Sequence, residues 1–166
     1  EDARQDEYGI VVATVPASIR REAPVVAFCA HLDTSPETSG AGVKPQVIEH
    51  YPGGDLVLPG EPSRVIRTAE NPELADVVGR TIITSDGTTL LGADDKAGVA
   101  AIVEAAAWLM EHPGQAHGPV RLCFTCDEEI GHGVDHVDLT KTPSEETHRQ
   151  LIDCKAKIEA RLDVSC

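Results

Sequence analysis

Apolar runs of strand length alternate with polar segments along this chain. Two continuous apolar runs, Val25–Ala30 and Val120–Thr125, have the length and composition of strands buried inside a sheet. A third run, Gly9–Val15, predicts another strand that ends at Pro16, because proline cannot donate to a strand ladder. The pattern therefore predicts at least three strands.

The clearest helix lies between the two buried runs. Residues Val99–His112 are rich in alanine and straight-chain residues, and Pro113-Gly114 predicts the stop. Strand, crossover helix and strand in that order favour parallel neighbours in one sheet. We therefore expect an α/β fold with a central mixed, largely parallel sheet and flanking helices.

Two other segments have weaker patterns. Pro36–Asp76 is rich in glycine and proline with little periodicity, which indicates a long functional or accessory excursion. Thr81–Thr84 and Thr88–Leu91 flank a Ser-Asp-Gly turn and predict a short hairpin.

The character of the sequence changes near its end. We expect one domain over residues 1–139 and a divergent polar tail over residues 140–166. The tail has only a thin helical stripe, so it is either an amphipathic surface helix or a sequence foreign to the fold.

The net charge of the chain argues against some classes of binding partner. A formal net charge of −14 repels phosphate backbones and anionic membranes, so we expect neither nucleic acid nor membrane as a partner. No apolar run approaches the roughly 20 residues that span a bilayer. The polar start EDARQDEYG is neither a signal nor a transit peptide, and we interpret Glu1 as a cut.

The five cysteines form no disulfide framework, which favours a reducing compartment and hence a cytoplasmic location. Cys123 and Cys126 have the spacing of a zinc or redox motif. However, they lie in an apolar strand, where positions three apart point to opposite faces. We interpret them as small packed residues.

Chemistry-bearing residues cluster where apolar strands end or the helix begins. The clusters are His31 with Asp33, the Asp94-Asp95 pair, and the Glu128-Glu129 pair. Open α/β sheets gather their active sites at such strand ends. One imidazole and five carboxylates would suit a pair of zinc-like ions.

Each cluster also has an ordinary structural explanation. Asp33 could accept the free N–H of His31 and orient it, or the two could be a polar strand end. Asp94 could bridge two cations, or one of the two aspartates could cap the helix. The glutamate pair could divide metal binding from proton transfer, or form a solvated turn.

Three successive segments bring a family resemblance. FCAHLDTSPETSG, TLLGADDKAGVAAI and CFTCDEEIGHG resemble the motifs of the peptidase T family, cytosolic tripeptide aminopeptidases of the dizinc exopeptidase superfamily. PQVIEHYPGGDLVL and GRTIITSDGTTLLG resemble peptidase T more than its deacylase relatives. The resemblance covers roughly Tyr8–Asp138.

The resemblance implies a role for each site residue. His31 would bind one Zn2+ ion, and Asp33 would orient and tune it. Asp94 would bridge two Zn2+ ions, and Glu129 would bind the second. Glu128 would be the general acid and base that releases the N-terminal residue of a small peptide substrate.

The sequence also departs from the family. The family completes its site with an aspartate in a V-D-G-G segment and a later histidine, and Asp153 and His148 lack those contexts. Cys126 stands where the family usually has proline. The N-terminal helix and the inserted lid and oligomerisation domain are not matched. We therefore expect a fragment truncated at both ends and inactive alone.

Two other functions remain open at this point. One is a related dizinc deacylase or dipeptidase, against which the peptidase T-like connecting segments argue. The other is a non-catalytic remnant that acts only as a metal-binding or interaction domain.

Overall fold

The computed structural model describes residues 3–137, and they form two compact units. The first unit comprises residues 3–33 and 95–137, and the second is Thr34–Asp94. The expected polar tail over residues 140–166 lies outside the described residues. Among the described residues, no helix has the length and apolar character that crossing a membrane requires.

The structure has eight strands, one α-helix and two short 3₁₀ helices. In chain order the strands are β1 Arg4–Gln5, β2 Val11–Val15, β3 Val26–His31, β4 Gln46–Ile48, β5 Leu56–Val57, β6 Val65–Ile66, β7 Ile82–Thr84 and β8 Val120–Thr125. The helix α1 is Ala93–Glu111, and the 3₁₀ helices are Pro72–Val77 and Glu128–Ile130. Each of the three strands expected in the first unit is thus present, within two residues of its expected start.

The first unit is built on a four-stranded sheet with the order β1-β2-β8-β3. Strands β3 and β8 are parallel neighbours, with Val26 opposite Val120 and His31 opposite Thr125. This confirms the expected adjacency of the two apolar runs. The sheet is mixed, as expected, but the pairings of β1 with β2 and of β2 with β8 are antiparallel. Of the three pairings in this sheet, only that of β3 with β8 is parallel. The sheet is therefore mixed, with less parallel pairing than expected.

Helix α1 packs on one face of this sheet. The buried cluster joins Ala106 of the helix to side chains of β2, β3 and β8, namely Val15, Ala30, Val120, Leu122 and Phe124. Val99, Ile102 and Leu109 of α1 pack against this cluster at helical spacing. The helix thus packs on the sheet through Ala106 and neighbouring apolar side chains, and the α/β expectation is confirmed.

The helix begins six residues earlier than the alanine-rich run suggests. It starts at Ala93, so the Asp94-Asp95 pair lies in its first turn. The expected start at Val99 followed the apolar pattern, whereas acidic residues are favourable at the N-terminus of a helix, where N–H groups lack intrahelical partners.

The second unit contains two small antiparallel sheets, β4 with β7 and β5 with β6. The expected hairpin of Thr81–Thr84 with Thr88–Leu91 is wrong, because β7 pairs with β4 instead. After β7, the Asp86 carboxylate accepts hydrogen bonds from the Thr88 N–H at 2.9 Å and hydroxyl at 2.6 Å. These local bonds form a turn that directs the chain away from β7.

Candidate metal centre

The candidate site lies where three elements of the sheet-and-helix layer end or begin. His31 is the last residue of β3, and Glu128 and Glu129 form the 3₁₀ turn that follows β8 by two residues. Because β3 and β8 run parallel, their carboxyl ends meet at the same edge. Asp94 is carried by the first turn of α1.

The structure brings three of the expected metal ligands together. His31, Asp94 and Glu129 each offer one ligand atom, and these atoms all lie within 4.8 Å of one another. His31 is buried, Glu129 is half-buried and Asp94 is exposed. Asp94 is also the last residue of the second unit, and it continues directly into the part of α1 that packs on the sheet. One imidazole and two carboxylates in this proximity could hold a divalent metal ion.

The hydrogen bonding of His31 determines which ring nitrogen faces a ligand. Its Nδ1 lies 3.1 Å from the backbone carbonyl of Asp33. A carbonyl oxygen only accepts, so the ring proton of neutral His31 belongs on Nδ1. Nε2 then carries the lone pair that a metal ion requires.

Asp33 connects the end of β3 to the 3₁₀ turn after β8. Its Oδ2 accepts a hydrogen bond from the Glu129 N–H at 3.0 Å, and its Oδ1 lies 3.4 Å from His31 Nδ1. The sequence suggested that the carboxylate itself accepts the imidazole proton. The backbone carbonyl is nearer, since the carboxylate also serves the Glu129 amide.

The electrostatics of Asp33 favour its charged form. Partial burial by itself raises the pKa of this carboxyl, but backbone N–H groups, above all that of Glu129, donate to the carboxylate, and His31 lies nearby. These contributions outweigh burial and hold the pKa of Asp33 below its usual value. Asp33 is thus a fixed negative charge beside the imidazole.

Asp95 and Lys96 attach the start of α1 to the end of β3. Asp95 Oδ1 accepts from the Gly98 N–H at 3.1 Å, a bond inside the first turns of α1. Its Oδ2 accepts from the His31 backbone N–H at 3.3 Å. Lys96 Nζ donates to the carbonyl of Leu32. Two bonds, those of Asp95 to His31 and of Lys96 to Leu32, therefore fix the backbone around His31 relative to the helix.

Glu128 lies beside the three candidate ligands. Its Oε2 is 3.8 Å from His31 Nε2, and 40% of its side chain is exposed to solvent. Asp127 and Gly131 bracket the 3₁₀ turn in left-handed conformations, with φ of 64° and 81°. Gly133 packs so closely that an added Cβ would lie 2.9 Å from the Glu128 Cα. The turn that presents Glu128 is therefore tightly constrained.

Sequence reasoning missed the contributions of Lys96 and Gly133. The capping alternative noted for the aspartate pair did signal a structural role for one aspartate, and Asp95 bonds to the Gly98 N–H inside the first turns of α1. Lys96 gave no specific signal, because its contact is with a backbone carbonyl 64 residues away. The close approach of Gly133 to Glu128 is likewise invisible in the sequence.

Cys123 lies in β8, but Cys126 follows the last residue of that strand, so the expectation that one strand carries both cysteines is wrong for Cys126. Cys123 is buried, while Cys126 is half-buried with its Sγ 3.8 Å from the Gly9 carbonyl. The two thiols have different surroundings, and neither belongs to the one group of three or more ligands found among the described residues.

Comparisons with known proteins agree with these motifs. Residues 84–159 match the model of Peptidase family M20/M25/M40. A peptidase T from Geobacillus kaustophilus is 51% identical over 141 residues, which are 85% of this chain and 34% of that protein. A peptidase T from Caldanaerobacter subterraneus is 51% identical over 136 residues, or 82% of this chain and 33% of the relative.

Solved structures give the same result for the fold. The aminopeptidase PepT of Bacillus cereus matches with a TM-score of 0.58 and 28% identity, over 84% of this chain and 31% of that one. A tripeptidase of Staphylococcus aureus matches with a TM-score of 0.56 and 27% identity, over 84% and 30%. The chain is therefore related in sequence and in fold to peptidase T and to peptidase family M20/M25/M40, and it spans about a third of the length of these relatives.

Proposed function

We propose that this chain carries part of the catalytic centre of a metal-dependent peptidase that releases the N-terminal residue of tripeptides. The observation that carries the proposal is the approach of His31, Asp94 and Glu129 to within 4.8 Å, with Glu128 beside them. The names of the relatives, peptidase T, aminopeptidase and tripeptidase, support the reaction and the size of the substrate.

We propose Zn2+ as the ion, because the donor set suits it. Imidazole nitrogen and carboxylate oxygen are both common zinc ligands, and His31 presents a lone pair at Nε2. In the complete site we propose that His31, Asp94 and Glu129 would together hold two such ions, with Asp94 as the ligand common to both. When bound, such ions polarise the peptide carbonyl and lower the pKa of water.

Glu128 is the proton-transfer group of the proposal. Its carboxylate is partly open to solvent and 3.8 Å from His31 Nε2, so it faces the same space as the ligand atoms. From there it takes a proton from the attacking water and returns it to the leaving amine. Asp33 is the orienting group, since it holds both the His31 ring and the Glu129 backbone.

The chain alone is proposed to have little activity. A catalytic zinc needs about three protein ligands. If Asp94 served both ions, His31, Asp94 and Glu129 would supply only about two ligands to each ion. The substrate is a small peptide, and neither nucleic acid nor membrane is part of the proposal. We also propose a cytoplasmic location, which the free thiols of Cys29 and Cys123 support.

A chimera tests the proposed function. Residues 8–137 replace the matching segment in the peptidase T of Geobacillus kaustophilus, which is 51% identical to this chain. With Zn2+ added, we expect the chimera to release the N-terminal residue of a tripeptide. Glu128→Gln in the chimera should reduce kcat by about 100-fold or more, because it removes the proton-transfer group.

The matched control is Glu111→Gln, which changes the same side chain at the exposed end of α1. It should retain full activity. A folded chimera that cleaves no tripeptide while the parent enzyme does would contradict the proposal, and so would full activity of the Glu128→Gln chimera. The isolated chain, measured in parallel, should show little or no cleavage.

A further inference from the structure

Two cysteines on neighbouring strands stand directly opposite each other. In the parallel pairing of β3 with β8, Cys29 is the register partner of Cys123. Their neighbours Ala30, Leu122 and Phe124 point into the core beneath α1. Because side chains alternate along a strand, both cysteines occupy the opposite face of the sheet.

The spacing of paired strands suits a covalent bond between these thiols. Neighbouring strands lie about 4.8 Å apart, and disulfides join Cα atoms separated by about 4.4–6.8 Å. As direct register partners, the two side chains lie beside each other on that face of the sheet. The paired strands therefore hold the two Cα atoms at a spacing that a disulfide can join.

The exposure of Cys29 and the position of Cys126 both favour a bond between Cys29 and Cys123. Cys29 is exposed and gives a small oxidant direct access, whereas Cys123 is buried behind it. Cys126 points elsewhere, toward the carbonyl of Gly9. Cys123 is therefore the thiol placed to react with an oxidised Cys29.

We propose that Cys29 and Cys123 are a modification site, at which peroxide forms a reversible disulfide between β3 and β8. Hydrogen peroxide first converts the Cys29 thiol to a sulfenic acid and leaves one water. The Cys123 sulfur then attacks the Cys29 sulfur, and the hydroxyl group leaves with the Cys123 proton as a second water. Two electrons pass from the sulfur atoms to peroxide, and a thiol such as glutathione reverses the bond.

The disulfide would join the two strands that carry the candidate metal centre. Cys29 precedes His31 by two residues on β3, and β8 leads directly into the turn of Glu128 and Glu129. The bond would close a loop from residue 29 to residue 123, and such a long loop strongly restricts the unfolded chain. The inference does not depend on the proposed peptidase function.

Peptide mapping of the full chain tests the site. The reduced protein is treated with hydrogen peroxide, alkylated and digested with trypsin without reduction. We expect the fragments Glu22–Arg64 and Leu122–Lys141 to appear as one disulfide-linked species that dithiothreitol separates. The second fragment also contains Cys126, so the same species must form in Cys126→Ser and be absent from Cys123→Ser.

Stability provides a second readout. Oxidation should raise the melting temperature of the Cys126→Ser protein by about 5 °C or more, and should not raise that of Cys123→Ser. If oxidised Cys29 appears only as sulfinic or sulfonic acid, or pairs with Cys126, Cys154 or Cys166 instead, the proposal is overturned. The wild-type and Cys126→Ser maps decide this even if Cys123→Ser fails to fold.

Discussion

At the scale of single residues, the adjacent aspartates at the start of α1 have different surroundings. Asp95 accepts hydrogen bonds from Gly98 in the helix and from the backbone of His31 in β3. Asp94 offers a ligand atom to the group that includes His31 and Glu129. The sequence left open whether the pair caps the helix or binds metal. The geometry gives the two side chains different surroundings, and metal binding by Asp94 stays a prediction.

This division predicts different effects for a matched pair of alanine variants. Asp95→Ala should lower the free energy of unfolding by about 1–2 kcal/mol, because its bonds to the Gly98 N–H and to the His31 backbone N–H are lost. Asp94→Ala should weaken metal binding more than Asp95→Ala does. Urea denaturation with metal chelated measures the stability loss of Asp95→Ala, and calorimetric titration with Zn2+ compares metal binding. Equal weakening of metal binding in the two variants would contradict the division.

Asp33 predicts the direction of a pH effect on stability. Its pKa is lower in the folded chain than in the unfolded chain, where the ordinary value is 3.8. Ionised Asp33 therefore stabilises the fold above about pH 4, and this contribution is lost as the pH falls through the folded-state pKa. Thermal melts of the wild type and Asp33→Asn should converge as the pH falls from about 6 to 2.5.

Asp76→Asn is the control for this comparison, because it removes a carboxylate at an exposed position. The difference in melting temperature between Asp33→Asn and the wild type should shrink as the pH falls. The difference between Asp76→Asn and the wild type should not. A constant gap between the wild type and Asp33→Asn at every pH would show that the Asp33 charge does not stabilise the fold.

At the scale of elements, the sequence predicted those whose signals are local and strong. The strands β3 and β8 follow from continuous apolar runs, and the body of α1 follows from its alanine-rich stretch. The hairpin prediction around Asp86 failed because pairing of β7 with β4 depends on a partner 36 residues away. Short strands such as β5 leave no periodic signal, since two residues cannot show alternation.

The 3₁₀ turn after β8 gives a prediction about a glycine. In Gly133→Ala the new Cβ would lie 2.9 Å from the Glu128 Cα, so the backbone of the turn must shift. A displacement of Glu128, the proposed proton-transfer group, should reduce kcat/KM of the chimera by about tenfold or more. Gly114→Ala is the matched control, since nothing lies within 4 Å of its Cβ position.

Activity assays and circular dichroism of both chimeras check this prediction. Gly114→Ala should match the unmodified chimera in both measurements. Equal activity of the two variants would mean that the turn accommodates the extra carbon without moving Glu128.

At the scale of the whole molecule, the site draws on segments far apart in sequence. From the order of strands and helix, the sequence predicted that His31, Asp94 and Glu129 lie near one edge of the sheet, because parallel strands and their crossover helix meet there. The structure brings their ligand atoms together. The bonds of Asp95 and Lys96 to β3 could not be predicted, since they join residues 64 apart to backbone atoms. What the three residues bind stays a prediction.

The length of the relatives bears on how tightly this chain should bind metal. The chain spans about a third of each peptidase T that it matches. We expect the isolated chain to bind zinc weakly, because the described residues bring together only three candidate ligands, His31, Asp94 and Glu129.

Calorimetric titration of the reduced chain with Zn2+ tests the central claim most directly. We expect weak binding that His31→Ala, Asp94→Asn and Glu129→Gln each reduce about tenfold or more, whereas Glu104→Gln, on the same helix as Asp94, has no effect. The Cys29→Ser/Cys123→Ser double variant should bind like the wild type, which excludes the thiols as ligands. An unchanged zinc affinity in the combined variant of His31, Asp94 and Glu129 would contradict the account.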